Sequence, residues 1–170
     1  MIIAETKRLI ISKFSIKDAP FFMELVNSPN WLKYIGDRNT RTLEDAQKRI
    51  TDGHLKSYEA YGFGFYKLSL KEENNKPIGT CGLIKREELE YVDLGFAFLP
   101  EYEGKGFGFE ASIEIIKLAK DQFKLKKLVA ITNTDNKNSI KLLEKLGFTF
   151  EKKVTPFTVD KELFLFEKEL

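Results

Sequence analysis

Cysteine and histidine each occur once in this chain of 170 residues, and those two scarcities exclude a good deal of chemistry. With Cys81 alone, no internal disulfide, no CxxC redox pair and no cysteine-rich zinc site can form. A serine triad would have to recruit His54, which sits in the polar, helix-like stretch Asp52-Gly53-His54-Leu55-Lys56, without the G-x-S-x-G of a hydrolase elbow. His54 is therefore expected on the surface. Long apolar runs are also missing: the longest, Leu94 to Leu99, falls far short of the ~20 residues of a membrane helix. Met1-Ile2-Ile3-Ala4-Glu5 lacks the basic segment and apolar run of a secretory signal. Nor does one charge dominate, since 28 Lys and Arg oppose 26 Asp and Glu for a net +2. Interspersed signs offer no polyelectrolyte surface. These absences predict a cytoplasmic protein with no membrane or nucleic-acid partner and no metal.

What is present is enough for a core. Apolar residues make up 42% and aromatics 13%, and a chain of this size hides about 70% of its unfolded surface on folding. With roughly 100 to 200 residues per domain as the usual range, residues 1–170 read as a single domain. Leu9 to Phe14 has the pattern of a strand. Ser15-Ile16-Lys17-Asp18 opens a helix with apolar positions at Phe21, Phe22, Leu25 and Val26, which Pro29 ends. Thr42 caps a second helix running to about Tyr58. From Tyr61 the period becomes alternating, and three antiparallel strands follow: Phe63 to Leu70, Ile78 to Lys85 and Tyr91 to Leu99. Their links are the hairpin loop Glu72-Glu73-Asn74-Asn75-Lys76-Pro77 and the acidic turn Glu87-Glu88-Leu89-Glu90.

After the third of these strands comes Pro100-Glu101-Tyr102-Glu103-Gly104-Lys105-Gly106-Phe107-Gly108, then a helix whose stripe is Ala111, Ile115, Leu118 and Ala119. Leu128 to Thr132 is a short buried strand. A further helix from about Asn136 carries Ser139, Leu142, Leu143 and Leu146, with Gly147 at its C-terminal cap. Phe148 to Val154 and Leu163 to Phe166 close the chain around Thr155-Pro156. The order describes an α+β protein with a single βαβ crossover in its middle.

Three alternating glycines between a strand and a helix let the backbone turn tightly and meet a ligand without an intervening Cβ. Such a loop, at a helix N-terminus carrying about half a positive charge, suits phosphate oxygens. The spacing is not that of a dinucleotide fingerprint, because position 109 is Phe109 rather than glycine. No G-K-[ST] ends the loop as in a P-loop, and the motifs H-R-D and D-F-G of kinases are missing.

Glu103-Gly104-Lys105-Gly106-Phe107-Gly108 resembles the Q/R-x-x-G-x-G/A pyrophosphate loop of the GCN5-related N-acetyltransferases. Asn136 to Phe148 (NKNSIKLLEKLGF) is similar to that family's second motif. Glu5-Thr6-Lys7-Arg8-Leu9 resembles the start of the branch that acetylates ribosomal-protein N-termini and small amines. The likeness spans essentially the whole chain in order. It implies the acyl-CoA N-acyltransferase fold: a mixed, mostly antiparallel sheet of about six to seven strands with about four helices, splayed between its fourth and fifth strands. It departs in two places. Glu103 stands where Gln or Arg is usual, and we expect its side chain to face solvent. Leu143 replaces a tyrosine that many members use to protonate the departing thiolate.

The resemblance implies acetyl-CoA as cofactor, leaving as coenzyme A, and direct transfer to a primary amine, either a protein N-terminus or a small molecule. It implies cofactor contacts at Phe96, Phe98, Leu99, Gly104, Lys105, Gly106, Phe107, Gly108, Asn136 and Ser139, and an acceptor near Trp31 and Tyr34. An alkyl amine is unprotonated in only about one molecule in a thousand at pH 7, a barrier of roughly 4 kcal/mol, so a base is needed. Asp93 is the favoured base, with Glu87, Glu88 and Glu90 as rivals; Ser139 is the candidate acid. Cys81 reads as a small buried residue. A non-catalytic CoA-binding or sensor domain is the alternative, and the assembly is expected to be a monomer or homodimer.

Overall fold

The structure is a computed structural model that describes residues 1–157 and 161–170. Its eight strands are β1 (Ile2–Glu5), β2 (Leu9–Lys13), β3 (Phe65–Leu70), β4 (Lys76–Ile84), β5 (Asp93–Phe98), β6 (Lys127–Asn133), β7 (Thr149–Val154) and β8 (Leu163–Glu169). They form one sheet in the order β1-β2-β3-β4-β5-β6-β8-β7. Every pairing is antiparallel except β5 with β6. The α+β class and the mixed, mostly antiparallel sheet are as the sequence implies. The strand count is higher by the short, half-exposed Ile2–Glu5, too brief and too little alternating to stand out. The strand that reads as fourth in sequence is therefore β5.

The helices are α1 (Ala19–Val26), α2 (Pro29–Tyr34), α3 (Leu43–Arg49), α4 (Lys56–Tyr61), α5 (Phe107–Asp121) and α6 (Lys137–Lys145). Pro29 does not simply terminate a helix. It stands at the first turn of α2, where the N–H it lacks would have had no partner. Thr42 is the N-cap of α3, with a capping box to Asp45. A π turn over Ile50–Leu55 then joins α3 to α4, so the single expected helix is interrupted.

That turn corrects the expectation for His54, which is half-buried rather than exposed. The ring packs against Phe14 with centroids 4.6 Å apart, Phe22 at 5.1 Å and Phe65 at 6.4 Å, and its Nδ1 is sealed without a partner among the described residues. A face counted at 3.6 residues per turn no longer tells which side chain turns inward once a π turn has widened the helix. Burial, with Arg49 nearby, lowers the His54 pKa to about 4.

Successive residues of a strand face opposite sides, and β3 and β4 show which layer covers each face. Cys81 meets Ser112 of α5 at 3.6 Å on one side. Lys67, paired with Thr80 across the strands, ion-pairs with Asp18 at 2.8 Å on the other. Helix α5 thus covers one face and helices α1 to α3 the opposite one, while Tyr58 of α4 stacks on Tyr66 at the α5 face. Leu68, Leu83, Ile115 and Leu128 lie in the first layer's core and Phe22, Leu25 and Ile50 in the second, all essentially inaccessible. No helix among the described residues is long and apolar enough to cross a membrane.

Candidate active site

The sheet parts in its middle. Strand β5 stays in register with β4 from Gly79↔Phe98 to Ile84↔Asp93, but it meets β6 only at Asp93↔Val129. Beyond that pair β6 follows β8 instead, along its whole length. The Leu99 N–H donates to the Ile78 carbonyl at 2.9 Å, and this fixes which backbone groups face which neighbour. In an antiparallel ladder bonded and non-bonded positions alternate, so Gly95, Ala97 and Leu99 turn their groups to β4. Phe96 and Phe98 turn theirs to the side that β6 has left. Leu99 offers no free backbone group, because its carbonyl accepts from Tyr102. Phe96 and Phe98 do.

The glycine loop lies just beyond the end of β5. Gly104 and Gly106 have φ of 70° and 84°, the left-handed region that side-chain-bearing residues avoid. Gly106 is the N-cap of α5. From Gly104 to Phe109 no backbone N–H has an acceptor among the described residues; the first to find one is Glu110, which donates to the Gly106 carbonyl at 3.1 Å. Consecutive open amides at the positive end of a 15-residue helix make a fitting cradle for an anion such as a diphosphate. Phe107 itself is buried and can contribute only its main chain. Gly108 is close-packed: a Cβ there would come within 2.8 Å of Leu142 on α6.

Asp93 stands at the fork where the two strands separate. It is 2% exposed and accepts a hydrogen bond from Arg86 Nε at 2.8 Å. Its other oxygen, Oδ1, is buried with no bonded partner among the described residues. The Ile131 N–H, which a continuing ladder would aim at β5, lies close enough to favour the charged carboxylate without satisfying Oδ1. Burial outweighs these partners and raises the pKa to about 6. Glu87, Glu88 and Glu90 are exposed on their turn.

On the far side of the gap, Asn136 caps α6 and its Oδ1 accepts from the Ser139 N–H at 3.3 Å. Capping occupies the carbonyl end of Asn136 and leaves Nδ2 for other contacts. Ser139 is half-buried on the first turn. Cys81 is fully buried, and burial pushes its thiol up to about 12, so no thiolate nucleophile forms there.

The two aromatic residues of α2 separate. Trp31 is buried and packs edge-on against Phe22, centroids 6.4 Å apart. Tyr34 instead lines an open cavity of about 360 Å³ with Lys33, Asn133, Asp135, Lys161 and Glu162. Asn133 Nδ2 donates to the Tyr34 carbonyl at 2.7 Å, tying α2 to the end of β6.

Comparison with known proteins agrees with this geometry. Residues 8–149 match the Acetyltransferase (GNAT) domain. The chain belongs to the GNAT superfamily. It is 27% identical over 146 residues to the uncharacterized N-acetyltransferase YnaD of Bacillus subtilis, an alignment covering 86% of this chain and 82% of that one. In fold it is similar to the ribosomal-protein-S5-alanine acetyltransferase of Vibrio fischeri, with TM-score 0.82, 20% identity and coverage of 98% and 95%. It is likewise similar to the ribosomal L7/L12 α-N-protein acetyltransferase RimL solved with coenzyme A, with TM-score 0.78, 15% identity and coverage of 100% and 98%.

Within this GNAT fold the two departures have structural counterparts. The Glu103 carboxylate accepts from Asn30 Nδ2 at 2.6 Å, so α2 holds it rather than solvent alone. Leu143 is 1% exposed and part of the core. Sequence reasoning missed Asn133, because nothing in a strand-end asparagine marks it as a tie to a helix about a hundred residues earlier. It also missed what Thr6, Arg8 and Glu110 do together, although the Thr6-Lys7-Arg8-Leu9 run was already part of the family likeness.

Proposed function

We propose that the protein transfers the acetyl group of acetyl-CoA to a primary amine, a protein N-terminus or a small molecule, by direct attack. The observation that carries this reading is the run of unpartnered amides from Gly104 to Phe109 beside the parted β5 edge. The residues fit the cofactor: the loop and the first turn of α5 would hold the diphosphate. The free backbone of Phe96 and Phe98 would hold the arm, with Asn136 Nδ2 and Ser139 on the opposite wall. Lys105 adds a cation at the loop.

Bound acetyl-CoA supplies a thioester acyl group at the fork. Asp93 receives the proton of the incoming ammonium, directly or through a water, and a carboxylate with pKa near 6 is matched to that task at neutral pH. The Phe96 N–H would stabilise charge growing on the acyl oxygen, a contribution of about a few kcal/mol for a preorganised donor. Ser139 Oγ–H would donate a proton to the departing sulfur and regain one from solvent. Tyr34 and the cavity it lines receive the acceptor, whereas Trp31 supports α2 from beneath.

Two features favour the non-catalytic alternative: Asp93 is paired with Arg86, and Leu143 stands where a tyrosine acid is usual. Titration with coenzyme A and an amine panel with free-thiol detection separate the readings. Binding with thiol release supports the enzyme, binding without turnover on any amine supports the sensor, and no binding removes both.

A further inference from the structure

We propose that Arg8 is the positioning residue of the diphosphate loop, an inference that rests on the cofactor reading above. Arg8 lies in the turn between β1 and β2 and reaches across to the start of α5. Its Nε donates to Glu110 Oε1 at 2.8 Å and its backbone N–H to Glu110 Oε2 at 2.9 Å. Thr6 Oγ1 donates to the same Oε2 at 2.5 Å. Burial works against the charged form of Glu110, but the bonds from Thr6 and Arg8 outweigh it and hold the carboxyl below its usual range. The guanidinium is thereby locked. From that position its Nη1 donates to the Lys105 carbonyl at 3.1 Å, and its central carbon stands 4.2 Å from the centre of the Phe107 ring.

The Lys105 contact determines what the loop presents. The peptide joining Lys105 to Gly106 is planar and trans, so its carbonyl and N–H point in opposite directions. Holding the Lys105 carbonyl on Arg8 turns the Gly106 N–H away from Arg8, to the open side. Between two left-handed glycines this peptide is the most easily flipped unit of the loop, and the flipped form would aim a carbonyl at an incoming anion. Arg8 keeps the amide outward, and through Phe107 it fixes where the helix begins. It acts through the loop rather than as a ligand of the diphosphate.

The test uses Arg8→Met, which keeps the stem and removes the fork, and Arg8→Lys, which keeps the charge. One ammonium cannot hold Glu110 and the Lys105 carbonyl in the fixed fork geometry of a guanidinium. Both variants are expected to lose coenzyme A affinity by about tenfold or more in calorimetry. In amide NMR the shifts of Gly104 and Gly106 on adding inorganic pyrophosphate should shrink, while the remainder of the spectrum stays native. A lowered melting temperature with unchanged affinity would make Arg8 merely structural and overturn the proposal. Full affinity in Arg8→Lys would overturn it too, since charge alone would then suffice. If Arg8→Met fails to fold, Arg8→Lys carries the decision. Failure of the unaltered protein to bind coenzyme A would instead strike the cofactor reading itself.

Discussion

The two sides of the parted sheet are built from different materials. On the side proposed for the cofactor the available groups are main chain, drawn from one continuous stretch: the free groups of Phe96 and Phe98, then the amides from Gly104 to Phe109. On the side proposed for the acceptor they are side chains brought from three distant segments, with Tyr34, Asn133 and Glu162 around one cavity. A backbone site tolerates change in almost every side chain but not in the glycines that shape it. A side-chain site can be altered residue by residue without touching the other half.

Four measurements break or sharpen that contrast. The largest effect is expected from Gly106→Glu, which puts a side chain at φ 84° and an anion in the cradle. Coenzyme A affinity should fall by about a hundredfold or more, roughly 3 kcal/mol; calorimetry giving an unaltered value would mean the main chain there is not the site. Next is His54, in the aromatic layer shared with Phe22 beneath Trp31. Its folded pKa of about 4 lies below the ordinary 6.5, so the unfolded chain takes up the proton first. The stability it confers is complete above pH 6.5 and is lost as pH falls toward 4, by about 3 kcal/mol at pH 4. Urea melts of His54→Leu should lack this acid slope.

Asp93→Asn should cost about a hundredfold in turnover and erase the rise in rate with pH near 6, because the unprotonated carboxylate is the working form. A pH profile with that limb intact would clear Asp93 of the role. The smallest change is expected of Tyr34→Ala: a KM for the acceptor raised about threefold to tenfold, with coenzyme A affinity untouched. Equal losses for both ligands would abolish the distinction between the two sides.

The same contrast explains what could be read from the sequence. Alternation and helical periodicity located β2 to β6, and Gly104 and Gly106 stand where a phosphate loop needs left-handed backbone, because those signals are local. The Asn136 cap, which accepts from the Ser139 N–H, is local as well. His54 escaped because exposure was read from its polar neighbours, whereas the π turn sets its ring among Phe14, Phe22 and Phe65. Trp31 and Tyr34 were read alike, three positions apart on a short helix, yet one packs on Phe22 and the other lines a cavity; only the placement of α2 separates them. The Arg86 partner of Asp93 and the Asn133 tie to α2 belong to tertiary geometry, and no spacing announces either.

The bracing of the loop by Arg8 also bears on when the binding site can come into being. Arg8 and Glu110 are 102 positions apart, and closing so long a loop has an entropic cost that must be met before the contact yields anything. During synthesis the segment bearing Arg8 leaves the ribosome early, yet it must wait for α5 to follow before it can grip anything. A chain arrested after β5 would therefore hold a nearly complete antiparallel meander and no capacity for coenzyme A, and nascent chains of graded length should acquire that capacity only once α5 has emerged.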